Sequence, residues 1–282
     1  MIAGFLLIAL AASSPASAAD PAQARIVTLG GPVTEAVFAL AAGSRVVGVD
    51  DSSQAVEGAA ALPKVGYYRT VGAEGILSLR PTLVIATEEA GPKAALDQLR
   101  SAGVPVLLLP AEATVEGAKR RIRAVAEALD LRAEGAALLA RMDVDLAEAA
   151  SQIGSSSDHP KVLFLFAPGQ NALSASGRGT AADEMIRLAG ATNAIDGYQG
   201  YKPLSAEAAI AAQPMVILVT TSTLARLGGK PGVLALPGLS ATPAGRAGRV
   251  VALEDLFLLG FGPRTGAAVK ALAEQLRGAD VQ

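Results

Sequence analysis

One stretch of sequence occurs twice in this chain, and the repetition limits the fold more than any other feature. Residues 73–85 align without gaps on residues 206–218, and both copies begin with Ala-Glu and carry proline at their ninth position. Each copy predicts a helix opened by an acid, a proline-ended turn and a buried strand. The offset of 133 residues is far longer than the period of a solenoid. The repeat therefore predicts two equivalent lobes.

The rest of the sequence alternates short β-branched runs with helical stretches. This alternation predicts parallel sheets that helices cover on both faces, and hence an α/β fold with two Rossmann-like lobes, each built on a central parallel sheet. The predicted strands are residues 25–29, 46–49, 83–86, 104–109 and 161–166, and the predicted helices of the first half are residues 33–41, 73–79 and 94–101.

The middle of the chain carries no strand signal. Two helices fit this region, over residues 115–129 and 132–153, and the second is rich in Ala, Leu, Glu and Arg. At about 1.5 Å per residue, the second helix is expected to be roughly 30 Å long. We therefore predict one long rigid helix (132–154) that joins an N-terminal lobe (19–131) to a C-terminal lobe (155–282).

The first residues have the character of a signal peptide. Residues 2–12 are uninterruptedly apolar, and the triplet Ala-Ser-Ala that ends at Ala18 fits cleavage by a signal peptidase. The apolar run is shorter than the ~20 residues of a spanning helix, although no Lys or Arg precedes it. We predict a signal peptide over residues 1–18 and export to the periplasm. The absence of cysteine predicts a mature protein without disulfides or a lipid anchor.

The composition excludes several classes of function. The formal net charge is -2 and the basic residues are scattered, so no nucleic-acid partner is expected. The one short basic cluster, residues 119–123, is expected to be a solvated helix face. With no cysteine and one histidine, a zinc site or another soft-ligated metal is nearly excluded.

Two short patterns raise the alternative of an enzyme. Residues 174–177 (Ser-Ala-Ser-Gly) lack the first glycine of a nucleophile elbow, and the sole histidine, His159, is poorly placed as its base. Residues 30–32 (Gly-Gly-Pro) follow a predicted strand but lack both the Walker lysine and the dinucleotide glycine spacing. We therefore expect a binding protein and not an enzyme.

The most informative side chains are those of Tyr67, Tyr68 and Arg69 in a predicted loop. A phenol oxygen beside a guanidinium suits a hard, oxidised metal centre, above all ferric iron. A free phenol has a pKa of ~10, and a nearby cation favours its anion. In an extended loop, Tyr67 and Arg69 would project to the same side. The residues alone leave a second interpretation open, in which both tyrosines are ordinary loop aromatics that pack on a helix.

Several stretches of the chain resemble the periplasmic substrate-binding proteins of iron-complex and cobalamin ABC importers, and among them the bacterial haem-uptake proteins. These stretches are residues 65–69 with 73–75, residues 177–183 and residues 258–265. The resemblance covers about residues 25–277. It implies that the chain binds haem between its lobes as a transported ligand, with Tyr67 as the axial ligand to ferric iron. Tyr68 is implied to stack on the macrocycle, and it is the second choice for the ligand.

The resemblance also implies partners for the haem propionates. Arg178, Arg226 and Arg264 fall where loops of the second lobe would meet the cleft. Arg226 is in addition implied as a hydrogen-bond partner of the ligand tyrosine. Each arginine, taken alone, fits a surface ion pair better than a binding role.

Two glutamates are implied to contact a transporter. In the family, one glutamate on each lobe docks into arginine pockets of the membrane permease, and Glu74 and Glu207 occupy matched positions of the repeat here. An acid in the first turn also stabilises a helix, and both roles are compatible. The implied partners are an inner-membrane ABC permease with its ATPase and an outer-membrane haem receptor system. The binding protein itself is expected to be a monomer.

One departure from the family pattern bears on the number of haem molecules per chain. Some relatives use a histidine just after the first strand of the second lobe to hold a second, stacked haem, whereas residues 166–169 read Phe-Ala-Pro-Gly here. We therefore expect one haem per chain and a surface position for His159. A siderophore or a corrinoid in place of haem is the alternative ligand.

Overall fold

The computed structural model describes residues 24–154, 159–167 and 173–278, which form two β-sheets flanked by helices. The predicted signal peptide, residues 1–18, lies outside these ranges. Within the described ranges, no helix combines the length and the apolar character needed to cross a bilayer.

The first sheet is entirely parallel and holds the strands of the N-terminal half. Its strand order is 2-1-3-4 along the sheet, and its first and third strands are almost completely buried, as strands covered on both faces must be. The elements are β1 (Ile26–Leu29), α1 (Gly31–Ala39), β2 (Val46–Val49), α2 (Ala73–Ser78), β3 (Leu83–Thr87), α3 (Lys93–Ser101), β4 (Val106–Leu109) and α4 (Val115–Ala128).

The second sheet has a parallel core and an antiparallel extension. The elements of this half are β5 (Lys161–Phe166), β6 (Ser174–Ser176), α6 (Ala181–Leu188), β7 (Thr192–Asn193), β8 (Tyr201–Pro203), α7 (Ala206–Ala212), β9 (Val216–Thr220), α8 (Thr221–Arg226), α9 (Gly229–Leu234), α10 (Pro243–Arg246), β10 (Val250–Leu253), α11 (Asp255–Leu259) and α12 (Thr265–Arg277). β6 runs antiparallel to β5, and β8 runs antiparallel to β6. This extension departs from the predicted parallel sheet, because three-residue strands leave too little periodicity to detect.

The parallel cores of the two sheets share one topology. β1 pairs with β2 and β3, and β3 pairs with β4. In the second half, β5 pairs with β7 and β9, and β9 pairs with β10. The two copies of the repeated segment form α2–β3 and α7–β9, which hold equivalent places. The predicted α/β fold with two equivalent sheet cores is thus confirmed.

One long helix, α5 (Arg132–Gly154), separates the two halves in sequence and is 23 residues long. It packs against α4 on one side and α12 on the other. Gly266 permits the second contact, because a Cβ at that position would lie 2.6 Å from the carbonyl oxygen of Met142. The lobe boundaries at either end of α5 stay a prediction.

A second connection between the halves is an ion pair between α1 and the residue that precedes α12. The guanidinium of Arg264 donates to the carboxylate of Glu35 on α1 and lies 3.4 Å from a carboxylate oxygen of Glu254. The Arg264 guanidinium also lies 5.1 Å from the ring centre of Phe257. Burial raises the pKa of Glu35, and the hydrogen bond and charge of Arg264 oppose that shift. Because arginine stays protonated, the pair is ionic whenever Glu35 is ionised.

The basic cluster on α4 is not uniformly solvated, so that expectation is wrong for Arg121. This residue is only 4% exposed, and its guanidinium donates to the carbonyl oxygens of Pro110 and Phe261, both at 2.6 Å. The bond to Phe261 crosses from the first half of the chain to the second. Burial lowers the pKa of Arg121, since desolvation disfavours a charge.

The Arg264–Glu35 pair should contribute measurably to stability. The substitution Arg264→Met leaves the buried carboxylate of Glu35 without its cation, and we expect the free energy of unfolding to fall by about 2 kcal/mol. This lies below the roughly 3–5 kcal/mol of a fully buried pair, because the Arg264 side chain is 44% exposed. Urea denaturation followed by circular dichroism measures the change.

The matched control for this measurement is Arg187→Met. Arg187 pairs with Glu184 one turn away on α6, and its side chain is 67% exposed. Such a surface pair contributes at most about 0.5 kcal/mol. Equal losses in the two variants would contradict a special role for the pair between the halves.

Candidate functional site

A cleft of about 390 Å³ lies between the two halves of the chain. Its first wall is built where β1, β3 and β4 end, and it includes Gly30, Thr87 and Pro110. The opposite wall comes from α11 and the residue after it, with Leu256 and Gly260. The carboxyl ends of parallel strands are where open α/β sheets bind ligands. The cleft is therefore the candidate binding site.

A buried carboxylate fixes the first wall. Asp50 is fully buried and accepts hydrogen bonds from the backbone N–H of Gly30 and from the hydroxyls of Ser52 and Ser53, at 2.6–2.8 Å. Gly30 has a φ of 108°, which a side chain would strain, and it leads directly into α1. The backbone N–H of Asp51 then donates to the carbonyl of Gly66 at 3.0 Å. This hydrogen bond thus connects the turn at residues 50–53 to the segment that precedes Tyr67.

The segment with the two tyrosines is a tight turn and not the extended loop predicted from the sequence. Tyr67 has extended backbone angles, and residues 68–70 form a single 3₁₀ turn after it. Tyr67 is 44% exposed, whereas Tyr68 is half-buried and lines the cleft. Their ring centres are 4.6 Å apart, so Tyr67 stands beside a residue of the cleft wall without lining the cleft itself.

Burial raises the pKa of the Tyr68 phenol, and contacts with Tyr67 raise it further. Tyr68 therefore stays neutral where a phenolate ligand is needed. Of the two phenols, Tyr68 lines the cleft and Tyr67 is the more exposed. The preference for Tyr67 over Tyr68 that the resemblance implies, and the metal-ligand role itself, stay predictions.

Arg69 binds a carboxylate that the sequence analysis did not include. Its guanidinium lies 2.6 Å from Glu89, and its carbon Cζ lies 5.0 Å from the ring centre of Tyr68. The hydroxyl of Tyr68 donates to the same carboxylate at 3.3 Å. Desolvation lowers the pKa of Arg69, but hydrogen bonds with Tyr67 and Glu89 outweigh it, and the net pKa is raised. Arg69 is thus a permanent cation shared between both tyrosines and Glu89.

The three arginines proposed for the propionates have different surroundings. Arg178 and Arg226 are exposed, and neither forms an ion pair within the described part of the chain. Arg226 ends α8, which begins at the carboxyl end of β9. Arg264 is engaged by Glu35 and Glu254, so its charge is already largely balanced.

The two glutamates proposed for docking are exposed and lie in the first turns of α2 and α7. The pKa of Glu207 is lowered by its own backbone N–H and by Ser205. Ser205 also caps α7, whereas α2 begins at Gly72 without a side-chain cap. Both carboxylates are therefore available at the surface, in the equivalent positions that the repeat predicts.

The residues considered for an enzyme do not form a catalytic pair. Ser176 is completely buried, and its hydroxyl bonds to that of Thr180 at 2.5 Å. His159 is exposed, as predicted, and its Nδ1 lies 2.7 Å from the carbonyl oxygen of Gly190. Across the described residues, no cluster of three or more His, Cys, Asp or Glu side chains has the proximity to bind a metal ion.

Sequence reasoning missed two residues of the cleft for different reasons. Glu89 follows the predicted strand β3 closely, and a side chain at that position of a parallel strand is expected to reach the binding edge. The place of Glu89 in the cleft could therefore have been predicted from the sequence. Arg121 gave no signal, because its neighbours on α4 are exposed basic residues and its burial depends on Phe261, 140 residues away.

Comparisons with known proteins agree with this geometry. The sequence pattern of the periplasmic binding protein family matches residues 26–256. The structure resembles the periplasmic heme-binding protein RhuT from Roseiflexus sp. RS-1 in apo form, with a TM-score of 0.87, 45% identity, and coverage of 91% of this chain and 99% of RhuT. It also resembles the heme-binding protein BhuT in complex with two hemes, with a TM-score of 0.85, 46% identity, and coverage of 91% and 98%.

Two curated sequences are similar as well. An uncharacterized ABC transporter substrate-binding lipoprotein, YvrC of Bacillus subtilis, is 27% identical over 255 residues, which is 89% of this chain and 79% of YvrC. A vitamin B12-binding protein of Yersinia pestis is 35% identical over 104 residues, which is 37% of this chain and 35% of that protein. The similarity to heme-binding proteins thus spans the described fold, and the similarity to the vitamin B12-binding protein spans about a third of it.

The Asp50 network makes a testable contribution to the first wall. The substitution Asp50→Ala leaves the Gly30 N–H and two hydroxyls without their buried acceptor, so we expect a loss of about 3 kcal/mol in unfolding free energy. Asp51→Ala, at the exposed next position, should cost less than about 0.5 kcal/mol. Thermal and urea unfolding of both variants test this, and a neutral Asp50→Ala would disprove the role of the network.

Proposed function

The chain belongs to the periplasmic binding protein family, and we propose that it binds haem in the cleft between its lobes and delivers it to an inner-membrane ABC permease. The observation that carries this proposal is the exposed phenol of Tyr67 beside Arg69 and beside Tyr68, which lines the cleft. The heme-binding proteins RhuT and BhuT share the fold over almost their whole length. The protein works in the periplasm, as its relatives do.

In the bound state, the Tyr67 oxygen is the axial ligand to ferric iron. A phenolate is a hard anionic donor, and haem iron held by tyrosine is an established arrangement. The cation of Arg69 stabilises the deprotonated phenol. Tyr68, kept neutral by burial, packs beside the macrocycle, and the apolar cleft removes its faces from water. The residues present therefore fit haem by charge and by polarity.

The propionates require cations at the open side of the cleft. Arg178 and Arg226 supply them, since both are exposed guanidiniums without an ion pair in the described ranges. Arg264 is the weakest candidate of the three, because two carboxylates already hold its guanidinium. A surface guanidinium that meets a carboxylate forms a bidentate pair without the cost of breaking another.

Delivery depends on recognition of the permease. Glu74 and Glu207 present one carboxylate on each lobe, in equivalent positions of the internal repeat. Arginine pockets on a permease would pair with both at once, so that correct docking requires both lobes in their fixed arrangement. An outer-membrane haem receptor system supplies haem to the periplasm, and the binding protein acts as a monomer.

One haem per chain is proposed, although BhuT is described in complex with two hemes. The sole histidine is exposed and is held by the carbonyl of Gly190, and residues 166–169 contain no histidine. A second haem would therefore lack the imidazole that a stacked arrangement uses. A saturation titration with hemin, followed at the Soret band, gives the number directly.

A corrinoid or a siderophore is the alternative ligand. The partial similarity to a vitamin B12-binding protein favours a corrinoid as the second candidate. A corrinoid brings its own axial ligands to cobalt, so its binding would not require the Tyr67 oxygen. Absorbance separates the three ligands, because only haem held through a phenolate gives the corresponding Soret band.

The role of Tyr67 is tested by titrating the mature protein with hemin. We expect Tyr67→Phe to weaken binding roughly 100-fold, or about 2.7 kcal/mol, and to change the ferric spectrum, because the anionic donor is lost. Tyr198→Phe removes a phenol from the other lobe and should leave both unchanged. Wild-type affinity and an unaltered spectrum in Tyr67→Phe would reject Tyr67 as the ligand.

The role of the two glutamates is tested with the permease and its ATPase in vesicles. The double variant Glu74→Ala/Glu207→Ala should bind haem with wild-type affinity and lose most of the stimulation of ATP hydrolysis. Glu134→Ala is the control, since Glu134 is also an exposed acid in the first turn of a helix. Equal effects of all these substitutions would favour a helix-dipole role and count against docking.

A further inference from the structure

Glu89 has no role in the function proposed above, yet it contacts the two residues that follow the proposed iron ligand in sequence. One of its carboxylate oxygens, Oε2, accepts from the Arg69 guanidinium at 2.6 Å and from the Tyr68 hydroxyl at 3.3 Å. The three side chains belong to two different loops, separated by about twenty residues of sequence. Glu89 also lines the cleft. The contact is therefore part of the site and not a distant surface pair.

The backbone holds Glu89 in this position. The N–H of Gly91 donates to the carbonyl of Tyr68 at 2.9 Å, and the N–H of Val71 donates to the carbonyl of Gly91 at 2.9 Å. These two bonds join the loop after β3 to the turn that follows Tyr67. A surface ion pair with flexible partners contributes little, but here the main chain already holds the two loops that carry Arg69 and Glu89 together. Arg69 is therefore already paired with Glu89 before a ligand binds.

This commitment controls the charge at Tyr67. A free guanidinium beside a phenolate would donate strongly to the oxygen and withdraw electron density from it. A guanidinium held by a carboxylate still supplies a cation nearby, but part of its charge is balanced. Glu89 therefore determines how much of the Arg69 charge reaches the Tyr67 oxygen.

We propose that Glu89 is a positioning residue for the haem ligand: it holds the Arg69 guanidinium and thereby limits the charge and the hydrogen bond that Arg69 directs at the Tyr67 oxygen, which keeps the phenolate a strong donor to ferric iron. This inference rests on the proposed function, since it requires haem bound through Tyr67. Glu89 does not touch the iron itself, and its effect passes through Arg69.

The experiment compares Glu89→Gln with Glu88→Gln in the haem-loaded protein. Glu88 is the adjacent carboxylate, and its oxygen accepts from the backbone N–H of Ala111 at 2.9 Å, whereas the Arg69 guanidinium donates to Glu89. Both substitutions remove one negative charge from the same loop. The readouts are the phenolate-to-iron charge-transfer band, the reduction potential of the haem, and the rate of haem transfer to apomyoglobin.

In Glu89→Gln, the released Arg69 should donate more strongly to the phenolate. We expect the charge-transfer band to move to shorter wavelength, the reduction potential to become more positive, and haem transfer to become roughly tenfold faster. Glu88→Gln should match the wild type. Adding Arg69→Gln to Glu89→Gln should abolish the effect of Glu89→Gln, because the two residues act as one unit.

Three results would overturn the inference: no change in Glu89→Gln, the same change in Glu88→Gln, or an effect of Glu89→Gln that persists without Arg69. Circular dichroism checks that each variant is folded, and Glu89→Ala replaces Glu89→Gln if the latter does not fold. Tyr67→Phe separates a failure of Tyr67 as the iron ligand from a failure of Glu89 as a positioning residue. Wild-type haem binding in Tyr67→Phe rejects the proposed ligand, whereas its loss together with a silent Glu89→Gln rejects only the role of Glu89.

Discussion

The cleft exists because two sheets from different parts of the chain are held at a fixed separation. Three contacts maintain it: α5 against α12, the Arg121 donor to Phe261, and the ion pair of Arg264 with Glu35. Two of these contacts bury a charged group, the Arg121 guanidinium and the Glu35 carboxylate, and a buried charge is tolerated only with its partners in place. The walls of the binding site are therefore held by polar contacts together with an apolar core whose residues come from both halves.

The proposed ligand site uses unequal environments for two adjacent phenols. Tyr68 lies in the cleft wall, where burial keeps it protonated, and Tyr67 stays exposed beside it. Arg69 serves both phenols and is itself restrained by Glu89. The turn that begins at Tyr67 thus gives two chemically identical side chains different environments, one exposed and one half-buried.

The extent to which the sequence predicted this protein depends on how local each feature is. The predicted bounds of β2, β5 and α5 agree with the structure to within one residue, because each element is a continuous apolar or helical run in the sequence. The repeat predicted the equivalent topology of the two cores. The burial of Arg121 and the direction of Arg69 were missed, since both depend on partners far away in sequence, Phe261 and Glu89. Tyr67 was singled out because a phenol beside a guanidinium stands out in a chain with no cysteine and one histidine, and because the family resemblance implies an iron ligand at this position.

The antiparallel extension of the second sheet ends on β8, whose residues Tyr201–Pro203 are all exposed. A free strand edge is a template onto which another chain can add. Here Pro203 has no N–H to offer, and the Lys202 ammonium, 4.9 Å from the Tyr198 ring centre, places a charge on the same edge. A binding protein meets other copies of itself often in solution. Because of Pro203 and Lys202, the exposed edge of β8 disfavours the addition of a strand from another copy to this sheet.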